Sequence, residues 1–73
     1  MVDEIWIKKR KEMGERIREL RIAQGWTQEQ LAKIVGITAA NVRSIEAGKY
    51  AAKLDTLNKI ARALNAELRI VEV

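Results

Sequence analysis

Three glycines, Gly25, Gly36 and Gly48, stand eleven and twelve residues apart, and apolar residues recur at helical spacing between them. Glycine reaches the left-handed conformation that closes a helix without a Cβ clash. Regular stops at this interval allow only short helices. Pro is absent, so nothing else interrupts the pattern. The expectation is an all-α domain, a compact bundle of four to five helices. Seventy-three residues make one domain. A core of this size is marginal, so support from a partner or a second copy is expected.

The first helix carries Met13, Ile17, Leu20 and Gln24 on one stripe. After Gly25, Thr27 is a good N-cap and Gln30 completes a capping box. Trp26 and Leu31 flank that cap as a hydrophobic staple. The second helix is predicted over Gln28 to Val35, with Leu31, Ile34 and Val35 turned inward. Gly36 ends it. Thr38 caps a third helix from Ala39 to about Ala47, with Val42 and Ile45 inward. A fourth shows Leu54, Leu57, Ile60, Ala61 and Leu64, and Asn65 can take the left-handed cap position.

The two ends differ from this middle. Residues 66–73 change period: Leu68 and Ile70 fall on one face, Val71 and Val73 on the other. A β-strand fits better. A lone strand is unstable, and the chain offers no second, so pairing of Leu68, Ile70 and Val71 across a dimer is expected. Residues 1–12 read as an N-terminal extension, helical from as early as Glu4. Gly14 argues mildly against one continuous helix there. Residues 13–65 form the domain proper.

Composition removes several function classes. Without Cys there is no disulfide or thiolate site, and without His the commonest metal ligand and general base is gone. Ser44 is the only serine, and no paired inward carboxylates stand out. An enzyme is therefore not expected, nor a metal or other cofactor. No apolar run is long enough for a membrane span and no signal peptide is evident, so a cytoplasmic protein without a membrane partner is expected. Fourteen basic residues against ten acidic give a net charge of +4, which mildly favours a polyanion.

By spacing, the second helix, Gly36 and the third helix form a helix-turn-helix. Ala32 is the small residue where two helices cross closely, and Gly36 supplies positive φ. Leu31, Val35, Ile37, Val42 and Ile45 fall where side chains face the other helices. Ala39, Ala40, Arg43 and Ser44 are left facing out. GERIREL, GWTQEQLA, VGIT, IEAGK and LDTLNKIARALN, in this order, resemble the Cro and phage-repressor (Xre-like) helix-turn-helix family. The resemblance covers Gly14 to about Asn65.

It implies a repressor-like domain whose third helix lies in the major groove of double-stranded DNA. Carried over, Gln28 would bond a phosphate, Thr38 would open the recognition helix as one of the DNA-binding residues, and Ala39, Ala40, Arg43 and Ser44 would face the groove. Asn41 and Lys49 would lie at phosphates. Arg21 and Glu46 would form a structural ion pair. The chain departs from the family at Ala39 and Ala40, where polar readers are usual. Alanine reads a base only by touching a thymine methyl, so Arg43 is the one strong candidate for guanine. The usual Pro before the fourth helix is also missing.

Other features have blander readings. Lys8 to Lys11 reads as a solvated face before it reads as a phosphate arm. Trp6 packs on the domain or on a dimer mate, and Trp26 belongs to the core. Tyr50 either reaches a phosphate or packs on the fourth helix. The function expected is a sequence-specific transcriptional repressor acting as a homodimer. The alternative, from the strand-like tail, is the antitoxin of a toxin–antitoxin pair, with a cognate toxin protein as second partner.

Overall fold

The computed structural model describes residues 4–49 and 52–65. Four helices follow in order: α1 (Glu4–Ala23), α2 (Gln28–Val35), α3 (Ala39–Glu46) and α4 (Leu54–Leu64). Among the described residues no helix is long and apolar enough to cross a membrane. The strand expected in residues 66–73, with Leu68, Ile70 and Val71, lies outside the described residues, as do Tyr50 and Ala51.

Local chemistry accounts for the helix ends. Thr27 Oγ1 accepts from the Gln30 amide at 3.1 Å, and the Thr27 amide donates to Gln30 Oε1 at 2.8 Å. That reciprocal box satisfies amides that the first turn of α2 would otherwise leave open. At the other end Gly36 adopts φ 84°, and both its amide and that of Ile37 donate to the Ala32 carbonyl. Asn65 closes α4 at φ 51°, as a left-handed cap. α3 stops at Glu46, one residue before the expected end, with Ala47 as its cap.

The core is built from Ile17 of α1; Leu31, Ala32 and Val35 of α2; Val42 and Ile45 of α3; and Leu57, Ile60 and Leu64 of α4. Met13, Leu20, Trp26 and Ile37 pack against it, partly buried. α2 packs on α3 and α4, while α1 lies across α3 and touches α4.

Several inward assignments are corrected. Ile34 is 52% exposed. Ala32 is buried, and on a helix it lies on the opposite side of Leu31 from Ile34, at about 100° per residue. Burying the small Ala32 at the α2 crossing turns Ile34 to solvent. Leu54 is 48% exposed. It is the first residue of α4, and Ala52 packs against the core at that end instead. Gln24 is exposed beyond the end of α1; the buried line there runs Gly14, Ile17, Arg21.

Gly14 does not interrupt α1. The helix passes through it unbroken because α1 must approach the end of α3 closely there. A Cβ at position 14 would lie 2.5 Å from the Glu46 carbonyl oxygen and 2.8 Å from its carbon, closer than side chains tolerate. The contact continues one turn earlier on α1. A Cβ on Gly48 would lie 2.8 Å from Lys11 Cα. Residues 4–12 are thus one helix with the domain, and α1 meets the end of α3 and the turn after it through Arg10, Lys11 and Gly14.

Candidate nucleic-acid interface

α3 has two chemically distinct sides. Val42, Ile45 and Glu46 are buried. Ala40, Arg43 and Ala47 are exposed at three- and four-residue steps, with Ser44 half-buried beside them. Thr38 opens the helix by accepting from the Asn41 amide at 3.1 Å, so its hydroxyl acts as a cap. Ala39, expected to face out, is half-buried and packs against the core. It stands three residues before Val42, on the same side of the helix. Asn41 is exposed.

The outward side of α3 forms one wall of an open concavity of about 540 Å³. Arg18, Gln28, Ala40, Arg43, Ser44 and Lys49 line it. Arg18 comes from α1, Gln28 from the first turn of α2, and Lys49 from the turn after α3. Three exposed cations from three parts of the chain therefore ring one depression.

Behind it stands a hydrogen-bonded knot. Arg21 Nε donates to Glu46 Oε2 at 2.7 Å and Nη2 to Oε1 at 3.1 Å, while Nη1 donates to the Trp26 carbonyl at 2.7 Å. Both charged residues are buried. Such a pair is tolerated only when its remaining polar atoms are also satisfied. Among the described residues no buried side-chain nitrogen or oxygen lacks a partner. The hydrogen bond to Glu46 raises the Arg21 pKa; burial opposes this, and the charges of Glu46 and Glu29 add to it. A raised arginine pKa keeps the Arg21 guanidinium charged until strong alkali, and the stability it contributes is lost as pH rises through that value. Gln28 Nε2 donates to Glu46 Oε1 at 3.2 Å, so the knot also orients the Gln28 amide at the rim. Gln28 keeps a second amide hydrogen for another acceptor.

Arg43 is more loosely held. Its Nη1 lies 3.8 Å from Glu29 Oε1, and both side chains are more than half exposed. It is the base-reading candidate with the widest reach.

Arg18 is not among the residues that the sequence singles out for DNA. The available signal was its position three residues before Arg21, on the side of α1 that meets the end of α3. The Lys8–Lys11 run also divides. Arg10 Nε donates to the Gly48 carbonyl at 3.1 Å, capping the turn after α3. Lys8, Lys9 and Lys11 are exposed.

Comparison with known proteins matches a helix-turn-helix family model over residues 17–71. An HTH-type transcriptional regulator of Archaeoglobus fulgidus is 46% identical over 56 residues, covering 77% of this chain and 80% of that one. A putative antitoxin, HigA2, of Mycobacterium tuberculosis is 46% identical over 56 residues, covering 75% of this chain but 55% of its own length. Among solved structures, the restriction-modification controller protein C.AhdI of Aeromonas hydrophila superimposes with a TM-score of 0.75 at 38% identity, over 78% of this chain and 86% of that one. The family is one of DNA-binding regulators and not an enzyme class. With its capped helix pair, its glycine-closed turn and these relatives, the chain belongs to the helix-turn-helix family of DNA-binding transcriptional regulators.

Proposed function

We propose that the protein is a sequence-specific repressor that acts as a homodimer, each copy laying α3 in the major groove of a half-site. The observation that carries this reading is the concavity beside α3, where Arg18, Arg43 and Lys49 converge around a Gln28 amide held by Glu46. Arg43 is the residue able to make a bidentate contact to guanine, and the Ala40 methyl suits a thymine methyl. Gln28, Asn41, Lys49 and Arg18 serve phosphates. Thr38 sets the start of the helix, and Ala39 reads little because it leans on the core. Two such helices one turn of duplex apart, about 34–36 Å, suit a two-fold symmetric operator. Repression then follows from covering a promoter.

The test is binding to the DNA upstream of the gene at several salt concentrations. Neutralising several phosphates makes affinity fall steeply with salt, and a slope near zero would refute the reading. Sedimentation of the free protein tests the dimer.

A second reading has one specific support, the likeness to the antitoxin HigA2. In that case a toxin protein is the main partner and DNA binding serves autoregulation. Co-expression with the neighbouring gene product separates the two: a stable complex favours the antitoxin, and two proteins that elute apart count against it.

A further inference from the structure

Glu29 is the acidic residue of the first turn of α2, and its carboxylate lies 3.8 Å from Nη1 of Arg43. The electrostatics of that first turn explain a glutamate there, since a negative charge suits the positive end of a helix. They do not explain why its carboxylate reaches across to α3 and meets the residue with most to offer a base. The pair is long, exposed and without a hydrogen bond. That geometry does not brace Arg43 in a fixed pose; a tight, buried contact such as the one between Arg21 and Glu46 would do so. It leaves Arg43 free to depart at little cost. Glu29 also adds its charge to the field at Arg21.

We propose that Glu29 is a specificity-determining residue that withholds Arg43 from phosphates and releases it only to a guanine edge. The inference rests on the reading that α3 enters the major groove. Any duplex offers phosphates, and an unpaired arginine gains from them whatever the sequence. Neutralising Arg43 removes that indiscriminate gain. A guanine offers two acceptors in the plane of the guanidinium, which is a stronger inducement than an exposed carboxylate. Glu29 therefore weakens binding to wrong sequences more than to the right one, and discrimination is the difference between the two affinities.

The experiment uses the full chain, a duplex selected by it from a random pool, and a scrambled duplex of equal length. Glu29→Gln should tighten binding to the scrambled duplex by about two- to five-fold, the range in which exposed ion pairs act, with a smaller gain on the selected duplex. The salt slope on the scrambled duplex should steepen by about one phosphate's worth. On an Arg43→Ala background the same substitution should change little. An unchanged ratio between the two duplexes would overturn the role of Glu29, as would an equal effect without Arg43, which would mean the carboxylate acts through its own field. Loss of affinity for the selected duplex in Glu29→Gln would also overturn it, since Glu29 would then be bracing Arg43. Failure of the unaltered chain to bind any duplex would instead bring down the functional reading itself.

Discussion

Replacing Gly14 with alanine sets two effects of opposite sign against each other. In the interior of a helix exposed to solvent, alanine is favoured over glycine by about 1 kcal/mol. If α1 were an ordinary surface helix at this point, Gly14→Ala would stabilise the protein. Here the new Cβ would sit 2.5 Å from the Glu46 carbonyl oxygen and 2.8 Å from its carbon. Both are backbone atoms, so no flexible side chain can move aside. Forcing an extra methyl into a close contact costs roughly 1–3 kcal/mol, and a rigid obstacle places this case toward the upper end. The net expectation is a loss of about 1–2 kcal/mol. For a domain of this size that lowers Tm by on the order of 10 °C. Thermal unfolding followed by circular dichroism measures it. The relaxation that does occur must push α3 away from α1, so operator affinity should fall as well. A Tm equal to or above that of the unaltered protein would refute the close approach of the two helices.

Other outcomes follow from the same structure. Gly36→Ala meets no atom within 4 Å, yet its φ of 84° strains any side chain; a loss of about 1–2 kcal/mol is expected in chemical denaturation, and a neutral result would remove the left-handed turn. Glu46→Ala leaves Arg21 charged and buried and should cost roughly 3–5 kcal/mol, whereas Arg21→Met combined with Glu46→Leu should recover most of it; equal loss in single and double variants would show that the pair is not the issue. Arg43→Ala should weaken binding to the preferred sequence by about 1–3 kcal/mol and relax specificity at one base pair, with Tm unchanged. Arg18→Ala should weaken all duplexes alike and lower the salt slope by about one, and a sequence-selective loss would assign it to a base instead.

The parts of the fold legible in the sequence are those set by neighbours along the chain. Thr27 with Gln30, Gly36 and Asn65 each terminate a helix by bonding within a few residues, so α2 and the end of α4 lie where the sequence places them. Positions decided by distant partners were not legible in this way. Ile34 and Leu31 are both apolar and both belong to α2; only the crossing at Ala32 decides which one is covered. Leu54 continues the stripe of α4, yet Ala52 takes the place against the core at that end. Gly14 reads as a weak point in a helix until the carbonyls of α3 are set against it. At the site, the outward placing of Ala40 and Arg43 follows from spacing, that of Ala39 does not, and Arg18 enters through the packing of α1 on α3. Arg10, part of a basic run, is assigned to the Gly48 carbonyl by tertiary contact alone.

The division of α3 into a buried and an open side has a consequence for how such a regulator can diverge. Positions 42, 45 and 46 answer to the interior, and positions 40, 43 and 47 do not. With α3 in the groove as proposed, a lineage could therefore rewrite its target DNA through the second set while the scaffold persists unchanged. Ala40 and Ala47, with no polar group to give up, are the places where a new preference could be written at the least structural expense.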